Sequence, residues 1–200
     1  MKTAFIWDLD GTLIDSYGAI INSIQLAYEH FGLPFDREQV ASYILQTSVG
    51  QLFAELKNEQ GLDLYPVYAA SLETRNAEIT VLDGAREILN WAREQGIQQF
   101  IYTHKGDNAF VLLKDLDLDG YFTEILTADR GFKRKPDPEG VDYLVDKYQL
   151  ERSQTYYIGD RSLDVDVAIN SGIQSINLLD YKPDYNHHVD NLLAIKDLFC

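Results

Sequence analysis

Cysteine is almost absent. The single thiol, Cys200, has no partner within its own chain, and no thiol cluster exists to hold zinc. Basic residues are also scarce: 17 Lys and Arg stand against 32 Asp and Glu, a formal net charge of −15. So acidic a surface repels polyanions, which excludes nucleic acid and anionic membrane as expected partners. Long apolar runs are missing as well. Met1, Lys2 and Thr3 lead straight into a strand-like stretch that breaks at Asp8, too short for a signal-peptide core, and no later run reaches membrane-spanning length. The expectation is a cytoplasmic protein without a membrane partner. Repeats, low-complexity tracts and disordered linkers are absent too.

What is present is an ordinary globular balance, 46% hydrophobic and 24% charged over 200 residues, enough for one core with a small appended module. Short runs rich in β-branched and aromatic residues predict strands at Thr3 to Leu9, Gln98 to Thr103, Thr123 to Thr127, Thr155 to Ile158 and Ser175 to Leu179. Between them, helical spacing marks Ala85 to Glu94 (Ile88, Leu89, Ala92), Asn108 to Leu116 (Val111, Leu112, Leu116), Val141 to Tyr148 and Asp164 to Asn170. Alternation of this kind implies an α/β fold, a doubly wound parallel Rossmann-like sheet with helices on both faces.

From about Tyr17 to Ile79 only helical patterns occur. Ile20, Ile24, Ala27, Tyr28 and Phe31 form one apolar stripe; Val40, Ile44 and Leu45 a second; Leu52, Phe53 and Leu56 a third; Tyr65 to Ile79 is a fourth candidate. Gly32, Pro34, Gly50 and Gly61 are expected to separate them. Four consecutive helices are too many for one βα crossover. The expected division is therefore an α/β core of residues 1–15 and 81–200, with a small helical cap of residues 16–80 inserted after the first strand.

Ligands of an open parallel sheet bind beyond the carboxyl ends of its strands. The first strand ends in Asp8-Leu9-Asp10-Gly11-Thr12 and the second in Thr103-His104-Lys105-Gly106. A loop after the third carries Lys133-Arg134-Lys135-Pro136, and the fourth ends in Gly159-Asp160 with Asp164 and Asp166 close behind. Carboxylates as close as Asp8, Asp10 and Asp160 repel unless a cation sits among them, and all-oxygen ligands favour Mg²⁺. One carboxylate can then attack phosphorus while the other moves protons. Thr103 and the amides around Gly11 can hold nonbridging oxygens, and Lys135 supplies the positive charge that an acidic chain lacks. A plain turn also explains Asp-x-Asp-Gly-Thr taken alone.

Four motifs in order carry a resemblance. Phe5-Ile6-Trp7-Asp8-Leu9-Asp10-Gly11-Thr12-Leu13-Ile14-Asp15-Ser16 resembles the first motif of the haloacid dehalogenase superfamily. Ile101-Tyr102-Thr103 is similar to its second, Lys135-Pro136-Asp137-Pro138 to its third, and Tyr157 through Asp164 to its fourth, Gly-Asp-x-x-x-Asp. The subgroup it most resembles holds phosphoglycolate phosphatase and β-phosphoglucomutase-like members. The resemblance implies a Mg²⁺-dependent phosphatase that hydrolyses a small phosphate ester through an aspartyl-phosphate. Asp8 would be nucleophile and metal ligand. Asp10 would be the general acid/base, its carbonyl a second ligand, and Asp160 the third. Thr103 would bind phosphoryl oxygens and Lys135 would orient Asp8, with Gly11, Thr12 and Asp164 in support. True dehalogenases of this superfamily lack the second aspartate, and Asp10 is present. A sugar-phosphate mutase would share every motif. A phosphonatase would need a cap lysine, for which Lys57 is the one candidate in the insertion. A non-catalytic binding module is the remaining alternative, and it would be expected to have lost Asp8, Asp10 or Lys135.

Other polar residues weigh less. Lys133 and Arg134 read as a solvated loop, and His187 and His188 as surface residues in a late polar turn; the resemblance implies that the loop of His104 and Lys105 faces the site, while His104 by itself reads as a packed or solvated loop histidine. Asp15 reads as a hydrogen-bonding residue at a helix start, and Asp166 as helix surface. The cap is expected to choose the substrate, with Thr47-Ser48-Val49-Gly50 as a weak interhelical candidate.

Overall fold

The computed structural model describes residues 2–199, so Cys200 lies outside the described residues. The chain separates into two compact units, one of Met1–Asp15 and Val81–Cys200, the other of Ser16–Thr80.

The first unit is built on β1 (Ala4–Trp7), β4 (Gln98–Tyr102), β5 (Glu124–Leu126), β6 (Thr155–Gly159), β7 (Gln174–Asn177) and β8 (Asn186–His188); separately, β2 (Ile14–Asp15) pairs with β3 (Thr80–Val81) in a short ribbon. The six-stranded sheet runs β5-β4-β1-β6-β7-β8, and every neighbouring pair is parallel. Helices α5 (Ala85–Glu94), α6 (Asn108–Asp115), α7 (Glu139–Tyr148) and α8 (Ser162–Ser171) make the crossovers. The doubly wound architecture expected from the alternation is thus the one observed.

Strand β1 is central, and Phe5, Ile6 and Trp7 expose nothing, as a strand covered on both faces requires. On one face Ile6, Phe100, Tyr102 and Tyr157 pack with Val141, Leu144, Val167 and Ala168 of α7 and α8. Elsewhere Ile88, Leu89 and Ala92 of α5 are fully buried, and Phe5 meets Trp7 and Phe199 edge-on or tilted. The indole N–H of Trp7 donates to Gln99 Oε1 at 3.2 Å, and Gln99 in turn donates to the carbonyl of Leu89 at 3.1 Å. Register then sets the rim. Trp7 lies level with Ile101 and Ile158, so Asp8, Tyr102 and Gly159 emerge side by side, with Thr103 and Asp160 one residue further on.

The second unit holds α1 (Tyr17–His30), α2 (Arg37–Gln46), α3 (Val49–Gln60) and α4 (Tyr65–Glu73). Helix α1 packs chiefly on α4, burying Ile20, Ile24, Ala27 and Tyr28 from one and Tyr68 and Leu72 from the other. Asp36 and Ser48 cap α2 and α3 by accepting from the amides of Gln39 and Gln51, each at 3.0 Å.

Several local expectations change. Gly50 is not a breaker; it lies in the first turn of α3, and the boundary is made by Thr47 and the cap Ser48. The fourth helix stops at Glu73 instead of running to Ile79, giving way to a single 3₁₀ turn at Asn76–Glu78. Asp15 closes β2, and Ser16 takes the N-cap position of α1. His187 and His188 sit on an edge strand, β8, rather than in a turn, though both are exposed. No helix among the described residues is long and apolar enough to cross a membrane.

Candidate active site

Asp8 leaves β1 with its amide donating to the carbonyl of Ile158 at 2.8 Å. The chain then closes a tight turn in which Gly11 takes a positive φ of 79°, a conformation that costs glycine nothing. Of the amides around Gly11, those of Gly11, Thr12 and Leu13 are spent within the turn. Gly11 N donates to Ile14 O at 2.9 Å, and the amides of Thr12 and Leu13 donate to Leu9 O at 3.2 and 3.0 Å. The turn consumes its own donors because it must satisfy buried backbone. Its side chain does reach the rim: the Thr12 hydroxyl donates to Asp160 Oδ1 at 3.0 Å.

Lys135 enters from the loop ahead of α7 and is buried, with its ammonium 2.9 Å from Asp8 Oδ1 and 2.7 Å from Asp164 Oδ1. The same ammonium lies over the rings of Tyr157 and Tyr102, 5.2 and 5.8 Å from their centroids. Burial opposes the charge on Lys135, but Asp164 and Asp8 outweigh it and hold the ammonium well above the usual lysine range. Asp164 is fully buried and also accepts from the amide of Arg161 at 3.2 Å. That approach requires Gly159, since a Cβ there would overlap the Asp164 carboxylate. For Asp8, burial dominates; Lys135 pulls the other way, Asp164 and Asp160 add repulsion, and its carboxyl is pushed up to about 8.

Ligand oxygens of Asp8, Asp160 and Asp164 lie within 4.8 Å of one another. Lys135 pairs with two of the three, Asp8 and Asp164, so with all three ionised the cluster carries a surplus of negative charge. An all-oxygen set with that surplus fits a hard divalent cation, whose charge would let Asp8 ionise despite its burial.

Asp10 meets a different lysine. Its Oδ1 lies 3.1 Å from the ammonium of Lys105, a side chain only 4% exposed. Thr103, also buried, accepts from the amide of Lys105 at 3.1 Å. The loop that carries both is fastened from behind: Asp129 accepts from the amide of Asp107 at 2.7 Å, Thr127 donates to Asp107 Oδ1 at 2.5 Å, and Ala128 N donates to Lys105 O at 2.9 Å. Gly106 permits that fastening, because a Cβ would meet Asp129 Oδ2 at 2.8 Å.

The profile of haloacid dehalogenase-like hydrolases matches residues 5–178. The chain belongs to that family. It is 28% identical over 197 residues to a phosphoglycolate phosphatase of Pseudomonas fluorescens, covering 91% of this chain and 70% of the relative. A pyrophosphatase PpaX of Bacillus velezensis is 29% identical over 197 residues, covering 92% and 90%. Among solved structures, a Streptococcus pneumoniae core domain, itself named a putative phosphoglycolate phosphatase, is 41% identical with a TM-score of 0.61 and covers 100% of this chain and 96% of its own.

In this haloacid dehalogenase-like hydrolase the rim gathers Asp8, Asp160, Asp164, Lys135 and Thr12 into direct contact or a common cluster, and joins Asp10 to Lys105 beside them. Two residues carry more than their sequence context suggested. Lys105, in the loop after β4, is also a buried ion-pair partner of Asp10; the apolar run ending at Tyr102 offered no sign of that pairing. His104 is half-buried and accepts the amide of Lys135 at 2.9 Å on Nε2, a contact between residues 31 apart. Lys57 of the helical unit is exposed and paired with Asp63 at 2.8 Å, as a solvated lysine would be.

Proposed function

We propose that the protein is a Mg²⁺-dependent phosphatase that hydrolyses a small phosphorylated metabolite through an aspartyl-phosphate on Asp8. The observation that carries this reading is that two carboxylates two residues apart pair with different lysines. Asp8 is held by Lys135 beside Asp160 and Asp164, while Asp10 is held by Lys105. This pairing supports a reading in which one carboxylate attacks and the other transfers protons.

In this reading Asp8 Oδ attacks phosphorus, and the departing alkoxide takes a proton from Asp10. Water then attacks the acyl phosphate, gives its proton to Asp10 and frees Asp8. Lys135 keeps the Asp8 carboxylate aimed, and Thr103 binds phosphoryl oxygens. Asp8, Asp160 and the carbonyl of Asp10 would hold Mg²⁺, with Asp164 behind them and Gly11 and Thr12 shaping the turn. When bound, Mg²⁺ neutralises charge on the transferring group. The relatives named phosphoglycolate phosphatase and pyrophosphatase support an anionic phosphate compound as substrate. We read residues 16–80 as the family's helical cap and assign substrate choice to it.

The test is phosphate release from a panel of small phosphate esters, with and without Mg²⁺, for the wild type and Asp8→Asn. Release should require Mg²⁺ and fall at least about 10³-fold in the variant, the scale seen when a nucleophile is removed. Activity that survives Asp8→Asn, or that ignores chelation, overturns the reading.

A further inference from the structure

The segment that carries Lys135 has no helix or ladder to hold it: residues 131–134 are irregular and 135–136 form a turn. Its backbone is tied down by side chains instead. Lys133 N donates to Glu139 Oε2 at 2.8 Å, and Asn170 Nδ2 donates to Pro136 O at 2.8 Å. The other two ties come from β4 and its continuation. The Tyr102 hydroxyl donates to Lys133 O at 2.8 Å, and Lys135 N donates to His104 Nε2 at 2.9 Å. Gly140 makes room for the first of these, since a Cβ there would meet the Tyr102 ring at 2.6 Å. Tyr102 and His104 therefore flank Thr103, and each reaches across to the lysine loop. The strand that presents Thr103 also sets where Lys135 stands.

We propose that His104 is a positioning residue that fixes Lys135 for catalysis by accepting its main-chain N–H on Nε2. This inference rests on the proposed phosphatase reading for its catalytic consequence. Because Nε2 accepts, the imidazole proton must sit on Nδ1. Charging the ring would turn the acceptor into a donor facing an N–H and break the tie. The surroundings oppose charging, first by burial and then through Lys135 and Arg134 of the loop and Arg161 ahead of α8. A ring locked this way is no acid or base for the substrate; its work is to hold an amide. Once that tie is lost, the ammonium of Lys135 no longer meets Asp8 in one fixed geometry, and transfer slows more than binding does.

The experiment compares full-length wild type, His104→Gln and His104→Leu. Gln can place an acceptor near the Nε2 position and Leu cannot. With p-nitrophenyl phosphate and Mg²⁺, kcat of His104→Leu should fall about 10- to 100-fold, as small misplacements of catalytic groups do, while KM changes little. His104→Gln should recover most of kcat. Without substrate or metal, long-range proton–nitrogen spectra of the wild type should show His104 protonated on Nδ1. The Lys135 amide should exchange with solvent about tenfold or more faster in His104→Leu than in the other two. If His104→Leu does not fold, Asn, polar but too short to reach, replaces it. Wild-type kcat in the Leu variant, equal loss in the Gln variant, or a Lys135 amide indifferent to the substitution would each overturn the inference. A wild type that releases no phosphate overturns the phosphatase reading instead, and the exchange measurement still decides whether His104 holds the loop.

Discussion

The two units of the chain bury polar atoms in different ways. In the helical unit the buried polar side chains among the described residues are Ser16, Ser23 and Ser71, all hydroxyls. Ser23 donates to the carbonyl of Ala19 at 2.9 Å, and Ser71 donates to Ser23 at 3.2 Å. In the α/β unit the buried polar set includes four ionisable groups, Asp8, Lys105, Lys135 and Asp164. Burying a satisfied hydroxyl is nearly neutral, whereas burying an ion requires a partner of opposite charge and is seldom better than an apolar contact. A unit that only needed to be stable would have no use for the second arrangement. The ionisable groups of the α/β unit sit at the strand ends, where a parallel sheet places its ligands, so their cost marks chemistry.

The sharpest test of this contrast removes one lysine from each unit. Lys135→Met leaves Asp8 and Asp164 buried without their ammonium and should lower stability by about 3–5 kcal/mol, the usual cost of orphaning a buried charge. Lys57→Met removes an exposed partner of Asp63 and should leave the urea midpoint unchanged. Similar midpoints for the two variants would mean that the Asp8–Lys135–Asp164 group is no more demanding than a surface pair.

A smaller effect separates the units by ligand. If Mg²⁺ joins Asp8 and Asp160, a hundredfold excess over its dissociation constant should stabilise the fold by about 2.7 kcal/mol. That raises the melting temperature by roughly 5–10 °C for a chain of this size. Asp160→Asn should abolish the shift. Ser71→Ala, in the helical unit, should keep it whole. A shift that survives Asp160→Asn would place the cation elsewhere.

Much of this contrast can be read along the chain, because apolar runs that end in carboxylates are visible without coordinates. The run before Asp8 and the run before Gly159-Asp160 both proved to be central strands of the sheet. What escaped has physical reasons. Strand β8, Asn-His-His, is short, polar and at the sheet edge, so no periodicity announces it. Gly50 looks like a breaker, yet the hydroxyl of Ser48 two residues earlier supplies a cap strong enough to start α3 before it. The amides of Gly11 and Thr12 seemed available to an anion, but whether an amide is spent depends on how the turn closes. Lys105 and His104 depend on partners 95 and 31 positions away, at Asp10 and Lys135. Local pattern carries no record of such pairings.

The smallest expected effect concerns pH, and it isolates His104 from the carboxylates. Burial, then Lys135, Arg134 and Arg161, push its imidazole down to about 2 in the folded chain, against an ordinary value of 6.5. The folded state therefore keeps His104 neutral while the unfolded chain takes up a proton. Stability from this residue is intact above pH 6.5 and drains away as the pH falls from 6.5 toward 2. Between pH 6.5 and 5.5 the loss should be roughly 1 kcal/mol, since one proton taken up on unfolding sets a slope of at most about 1.4 kcal/mol per pH unit. His104→Gln carries no titrating group at that position, so its stability should be flatter over the same window. The gap between the two proteins, followed by urea unfolding at each pH, should narrow by that roughly 1 kcal/mol. No helical-unit substitution that leaves the ionisable groups alone should reproduce this narrowing. Parallel pH curves for wild type and His104→Gln would show that the imidazole charges freely in the folded chain, and a charged ring cannot be accepting the amide of Lys135.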